Sequence, residues 1–269
     1  MRAEGNIPKQ GITICIPNWN HSSFLPRSLG SAIRSARELE KQGLGCEILA
    51  IDDASRDGSQ RVLRSIRQMH QEIDLKCLYL KKNQGLSRVR NLGMKKAKYP
   101  FVCFLDADNE LIPDNLYLFY RTLQETGAAL TYGNLLVLEG KKTVKLYSHE
   151  VIQSDIFEGN YVDAFCLVDR MQIIACGGYD PSLIGWEDWD LILHLICEGK
   201  RLVFCPLLFG VYHRLDNSMA AETDENWTLR IKQMTRRFNQ NYLRSSEREI
   251  LGRMYVPGLG YLDHGEQTC

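Results

Sequence analysis

Short apolar runs and amphipathic stretches alternate along the first half of the chain. Ile12–Ile16 reads as a buried strand closed by Pro17, and Ser28–Leu39 carries apolar residues at helical spacing before Gly43 and Gly45 interrupt it. Glu47–Ile51 predicts a second strand, and Asp57–Met69 a second helix with Val62, Leu63 and Ile66 on one face. Leu75–Leu80 predicts a third strand and Leu86–Lys96 a third helix. Phe101–Leu105 predicts a fourth strand that runs straight into Asp106-Ala107-Asp108. Strand–helix alternation of this kind implies a mostly parallel sheet with helices on both faces. Ligands of such sheets lie beyond the carboxyl ends of the strands. Polar residues gather at those ends: Pro17–Asn20, then Asp52 and Asp53, then Asn83–Gly85, then Asp106–Asp108.

The second half is less regular. Pro113–Glu125 reads as a helix with proline near its start. Ala128–Leu138 and Lys142–Tyr147 read as strands around a Glu139-Gly140 turn, and Asp163–Arg170 as a further apolar stretch. Glu187–Glu198 predicts a helix stopped by Gly199, Leu202–Cys205 a short strand, and Glu222–Tyr242 a long polar helix. The last residues show little periodicity.

Composition narrows the function classes. Lys+Arg and Asp+Glu are both 33, so the net charge is zero and gives no broad electrostatic claim on nucleic acid or an anionic membrane. Of the nine cysteines, Cys15, Cys46, Cys77 and Cys103 fall in or beside apolar runs, where cysteine behaves as a small hydrophobe. An odd count, no CxxC pair and no signal-peptide pattern lead us to expect a reducing cytoplasm. No apolar run reaches the length of a membrane span, which leaves a peripheral place at the inner face of a membrane open.

Several segments carry candidate chemistry. Asp106 and Asp108, one residue apart on extended chain, project to one side and suit a hard divalent cation carrying a diphosphate. An acidic turn capping the next helix is the plainer alternative. Asp52-Asp53 places two adjacent carboxylates at a strand end, where a base or ribose would be a reasonable partner, while Ser55 or Asp57 suits a helix cap. Asn83-Gln84-Gly85 opens a helix, so Arg88 and Arg90 either meet phosphate, brace the acidic rim or are solvated. In Gly185-Trp186-Glu187-Asp188-Trp189-Asp190, two tryptophans bracket two carboxylates at a helix start. The carboxylates suit the helix dipole, yet a ring face that stacks on a pyranose beside a general base fits the same residues. His213 is a competent metal ligand; His21, His70, His149, His194 and His264 read as structural or solvated.

Taken in order, these pieces resemble the family 2 glycosyltransferases: Ile16-Pro17-Asn18-Trp19-Asn20, Ile51 to Ser59, Gly85 to Gly93 with Arg90-Asn91, Phe104 to Asp108, Gly177 to Asp180, and Glu187 to Leu191. The resemblance runs from Thr13 to about Asn217. It implies a GT-A fold, a Rossmann-like mostly parallel sheet flanked by helices with a smaller mixed region on the acceptor side. Residues 1–221 would form that domain, with 1–110 binding the nucleotide and 111–221 facing the acceptor, and 222–269 a helical extension and tail. By resemblance, Pro17, Asn20 and Asp53 bind the nucleotide, and Arg90, Ala107 and Trp186 line the nucleotide-sugar site. Asp106 and Asp108 form a DXD motif that holds Mn²⁺ or Mg²⁺, with His213 as a further ligand. Asp188 is the implied catalytic base and Glu187 its rival. The implied reaction is inverting transfer of one sugar from a nucleoside diphosphate, UDP for preference, to a glycan, lipid-linked or protein acceptor in cell-envelope or exopolysaccharide synthesis. A non-catalytic nucleotide-sugar binder and a nucleotidyltransferase are the alternatives. The sequence departs from the family in Ala54, where glycine is common, and in Asn18-Trp19, where Thr-Tyr is frequent.

Overall fold

The structure is a computed structural model that describes residues 10–140, 142–147, 156, 159–183, 185–215, 254–258 and 260–262. Strand β1 (Gly11–Asn18) is buried along its whole length. The cause is cover on both faces. Ile12, Ile14 and Ile16 meet Leu25, Leu29 and Ala32 of helix α1 (Leu25–Lys41), while Cys15 meets Val89 and Met94 of helix α3 (Leu86–Lys96) on the other side. Each isoleucine so removed from water contributes about 1.5–3 kcal/mol. Helix α1 begins earlier than its apolar spacing predicts, because Pro26 occupies the first turn, where its missing N–H has no helical partner to lose. In α3, Gly93 lies so close to β1 that a Cβ there would collide with the Cys15 sulfur. That contact sets how near α3, and therefore Arg90, lies to the sheet.

The first half follows the expected pattern. Strands β2 (Gly45–Asp52), β3 (Leu75–Tyr79) and β4 (Phe101–Phe104) join β1 in parallel, with α2 (Ser59–Met69) after β2. The second half holds β5 (Glu110–Leu111), α4 (Leu116–Thr126), β6 (Leu130–Glu139), β7 (Lys142–Tyr147), β8 (Leu167–Asp169), α5 (Arg170–Ala175), α6 (Glu187–Cys197), β9 (Leu202–Arg214), β10 (Met254–Val256) and β11 (Gly260–Leu262). One sheet runs in the order β11-β10-β9-β6-β8-β4-β1-β2-β3, with β5 on β9 and β7 on β6. Strand β8 is antiparallel to both of its neighbours, β4 and β6, so it enters the sheet at the rim where β4 leaves.

Three expectations for the second half change. Pro113–Asn115 is a separate 3₁₀ turn before α4 rather than part of that helix. The stretch Asp163–Arg170 holds only the short β8 before α5 begins at Arg170, because Asp169 caps that helix by accepting from Met171 N and Gln172 N. Strand β9 runs well past Cys205 to Arg214, since its partners β6 and β5 continue beside it. The expected helix Glu222–Tyr242 lies outside the described residues. Among the described residues no helix is long and apolar enough to cross a membrane.

Candidate functional site

The carboxyl ends of the parallel strands carry the unusual backbone. Among the described residues, the non-glycine positions with left-handed φ are Asn20 (58°), Ala54 (60°) and Trp186 (61°), all bordering this rim. Such conformations cost free energy and persist where the surroundings impose them. After β1, Asn18 Nδ2 donates to Asp52 Oδ1 at 2.8 Å and to Ser55 Oγ at 3.1 Å, while Asn20 Oδ1 accepts from Arg56 N at 2.8 Å. Loops one and two are thereby tied together, with Pro17 buried beneath and Trp19 exposed above them. Asp52 also accepts from Gln60 Nε2 at 2.9 Å. Asp53 accepts from the backbone N–H groups of Gln84 at 2.8 Å and Gly85 at 2.9 Å. Both adjacent carboxylates thus have hydrogen-bond partners inside the protein. Asp53 braces the loop that starts α3. Arg88 is exposed and donates to the Gln84 carbonyl.

Arg90 is the centre of the arrangement. It is buried, and its guanidinium donates from Nη1 to Glu187 Oε1 at 2.8 Å and from Nη2 to Asp106 Oδ1 at 3.0 Å. It also sits over the Tyr179 ring, 5.4 Å from its centroid. Burial works against its charge, but Asp106, Tyr179, Glu187 and Asp188 outweigh that and hold the guanidinium firmly protonated. A single side chain on α3 therefore joins the end of β4 to the start of α6, residues 16 and 97 positions away. Arg90 Nε is buried without a partner among the described residues.

The two DXD carboxylates point away from the core while Ala107 turns into it, 1% exposed. Any part Ala107 takes in binding therefore runs through its backbone. Burial, and next the Asp106 charge, push Asp108 up to about 6. Arg27 Nη2 donates to the Asp108 carbonyl and pins this loop to α1. His21, read from sequence as structural, is lowered by burial against the opposing charges of Asp106 and Asp57, which puts it beside the same rim. The His213 Nε2 lies 2.8 Å from Glu110 Oε1, and its backbone N–H donates to Asn109 Oδ1, next to Asp108 in the chain. Among the described residues no three His, Cys, Asp or Glu side chains form a ready-made metal cage.

On the acceptor side, the neighbours Glu187 and Asp188 have different settings. Glu187 is the buried partner of Arg90. Among the described residues Asp188 accepts only from its own helix, Trp189 N to Oδ1 at 2.7 Å, and it is pushed up to about 7 by burial, then by Glu187 and Asp163. Trp189 is buried and donates from Nε1 to the Ile156 carbonyl at 2.7 Å. Trp186 packs edge-on against it at 5.9 Å and remains 40% exposed at the rim. Two further residues reach this place without a motif to announce them. Asp163, just ahead of β8, is pushed up to about 6 by burial and by Asp106. The Tyr212 hydroxyl on β9 is raised by burial and by Asp163, Asp106, Asp108 and Asp188. Burial also pushes Cys15 up to about 12, which keeps that thiol protonated and chemically quiet.

The arrangement brings to one rim two carboxylates able to meet a hard cation, one carboxylate raised toward neutrality, and a partly exposed indole. The sequence model described as Glycosyl transferase family 2 matches residues 13–183. The chain is 25% identical over 235 residues to glycosyltransferase GlyA of Streptococcus pneumoniae serotype 4, covering 80% of this chain but 32% of GlyA. Its fold is similar to that of S. aureus TarS residues 1–349 in complex with UDP-GlcNAc, with TM-score 0.70 and 15% identity over 89% of this chain and 68% of that one. It is also similar to mannosyltransferase PcManGT from Pyrobaculum calidifontis in complex with GDP-Man and Mn²⁺, with TM-score 0.64 and 16% identity over 89% and 66% of the two chains.

Proposed function

The chain belongs to glycosyl transferase family 2, and on that premise we propose that it moves one sugar from a nucleoside-diphosphate donor to an acceptor hydroxyl with inversion at the anomeric carbon. A UDP-sugar is the favoured donor. The acceptor is a glycan, lipid-linked or protein hydroxyl in the assembly of a cell-envelope or extracellular polysaccharide, and the proposed compartment is the cytoplasm, at or near the inner face of a membrane. The observation that carries this reading is the Arg90 bridge, which brings the Asp106 and Glu187 segments to one recess.

In this recess Asp188 is the base. Its neighbour Glu187 is neutralised by Arg90, while Asp188 has no cation of its own among the described residues. A carboxylate raised to about 7 takes a proton readily near neutrality. It removes the acceptor proton, and the freed oxygen attacks the anomeric carbon opposite the departing diphosphate. One displacement inverts the centre and needs no covalent sugar–protein intermediate. Asp108 and Asp106 would hold a divalent cation, Mn²⁺ or Mg²⁺, which when bound neutralises charge on the leaving diphosphate. Their all-oxygen donor set fits such an ion, and a cation would relieve the desolvation and the Asp106 charge that raise the half-buried Asp108 carboxyl. His213 would join that shell through Nδ1 while Nε2 holds Glu110, or by giving up Glu110. Pro17, Asn20 and Asp53 frame the nucleotide loop, and Trp186 offers its exposed face to a sugar ring.

A thermal-shift panel of nucleotides and nucleotide sugars, with and without Mn²⁺, followed by analysis of the released nucleotide, tests the proposal. We expect stabilisation by one nucleotide sugar that depends on the cation, and release of the nucleoside diphosphate with acceptor present. Release of pyrophosphate would favour the nucleotidyltransferase alternative. Binding with no turnover across acceptors and water would favour a non-catalytic binder.

A further inference from the structure

Charge is spread unevenly over this chain. Lys+Arg and Asp+Glu are both 33, yet residues 59–96 hold ten Lys or Arg and two Asp or Glu. Those residues comprise α2, β3 and α3. Strand β3 ends the sheet order, paired with β2. Helix α2 packs on one face of the sheet through Leu63 and Ile66, and α3 on the other through Val89 and Met94. Helix, strand edge and helix therefore lie side by side, as the flank of a three-layer stack. Both helices have 11 residues, so the flank is about 16 Å long.

Of the ten cations, Arg90 is buried in the site and the other nine are exposed. Lys76 pairs with Glu47 at 2.7 Å. The remaining eight make no ion pair among the described residues. The two acids are already engaged, Glu72 by Arg37 at 2.7 Å and Asp74 by Lys98 at 2.8 Å. Lysine beside a free strand edge discourages pairing with another sheet. That accounts for Lys76, but not for Arg61, Arg64 and Arg67 on α2 or for Lys95 and Lys96 on α3. Eight cations without counter-charge make this flank attractive to an anionic surface. It offers little for stacking bases, because the Tyr79 ring lies under the Arg64 guanidinium, 5.1 Å from it. The large apolar side chain it exposes is Met69, 67% exposed at the end of α2. Clustered cations bordered by an exposed apolar side chain suit the headgroups and outer acyl layer of a bilayer.

We propose that the flank formed by α2, β3 and α3 docks the protein onto an anionic phospholipid surface. The inference deepens the membrane-side placement given under the proposed function and rests on that reading. Lys81 and Lys82 follow β3 just before Gln84 meets Asp53, so the docked flank adjoins the rim of the site.

Flotation of the full chain with lipid vesicles tests this. Vesicles of phosphatidylcholine alone are compared with vesicles of equal parts phosphatidylcholine and phosphatidylglycerol. Neither donor nor acceptor is present, so this test and the nucleotide panel for the transferase reading can fail separately. We expect binding to the anionic vesicles at low salt, little to the neutral ones, and release as salt rises. Each cation near an anionic bilayer contributes about fivefold in affinity. The paired changes Arg64→Gln with Arg67→Gln, Lys81→Gln with Lys82→Gln, and Lys95→Gln with Lys96→Gln should therefore each weaken binding at least about tenfold, with the melting temperature unchanged. Lys142→Gln with Lys145→Gln makes the same charge change on β7 and should stay within about twofold of wild type. Equal binding to neutral and anionic vesicles, binding to neither, or a loss from the β7 pair as large as from the flank pairs would overturn the proposal. Tighter binding to single-stranded DNA than to the anionic vesicles at matched phosphate would overturn it in favour of a soluble polyanion.

Discussion

Glu187 and Asp188 are adjacent, share a helix turn, and differ in setting because of what each touches. Glu187 reaches the buried Arg90 at 2.8 Å, so its carboxylate is occupied by that ion pair. Asp188 accepts from Trp189 N and is raised to about 7, first by burial and then by the Glu187 charge. The sign of the pH dependence follows: a base works deprotonated, so donor turnover should climb as pH rises through about 7 and level off above it. Asp188→Asn should lower turnover at least about a hundredfold and abolish that rise. Initial rates of nucleoside diphosphate release across the pH range measure both, and an unchanged profile in the variant would remove Asp188 from the role. The sequence alone could not separate these two carboxylates. Both suit a helix start, and the difference between them lies in Arg90, 97 residues away from Glu187. Asp163 was equally silent, since it sits in an apolar stretch with no motif, and only the fold brings the Asp106 charge to bear on it.

At the scale of elements, the legible parts were those with repeated periodicity and cover on both sides. Strand β1 reads directly from its apolar run because both faces are buried. The β8–α5 segment was not legible: β8 is three residues long, too short for a period, and Asp169 ends it by capping α5. The packing of α3 on β1 fixes where Arg90 can reach, and Gly93 is the position that permits it. A Cβ at Gly93 would strike the Cys15 sulfur. Gly93→Ala should therefore destabilise the protein by about 1–3 kcal/mol. Combining it with Cys15→Ala should cost less than the sum of the two single changes, because the smaller side chain vacates the contested space. Urea unfolding of the two single variants and the double variant measures the coupling. Strict additivity would mean that the contact does not set the helix position.

Across the whole molecule, residues far apart in sequence meet because the parallel strands end at one rim and β8 enters there in reverse. Arg90 then ties the end of β4 to the start of α6; in the proposed reaction Asp108 and Asp188 would serve one donor from two sides. That convergence is the claim on which the transferase reading stands, and it separates into two measurable halves. The direct test compares Asp108→Asn and Asp188→Asn for Mn²⁺-dependent binding of the donor and for its turnover, with water or acceptor receiving the sugar. The account predicts that Asp108→Asn loses the cation-dependent part of binding. Asp188→Asn should bind within about threefold of wild type while its turnover falls by about a hundredfold or more. Cation-dependent binding that survives in Asp108→Asn, or full turnover by Asp188→Asn, would contradict it.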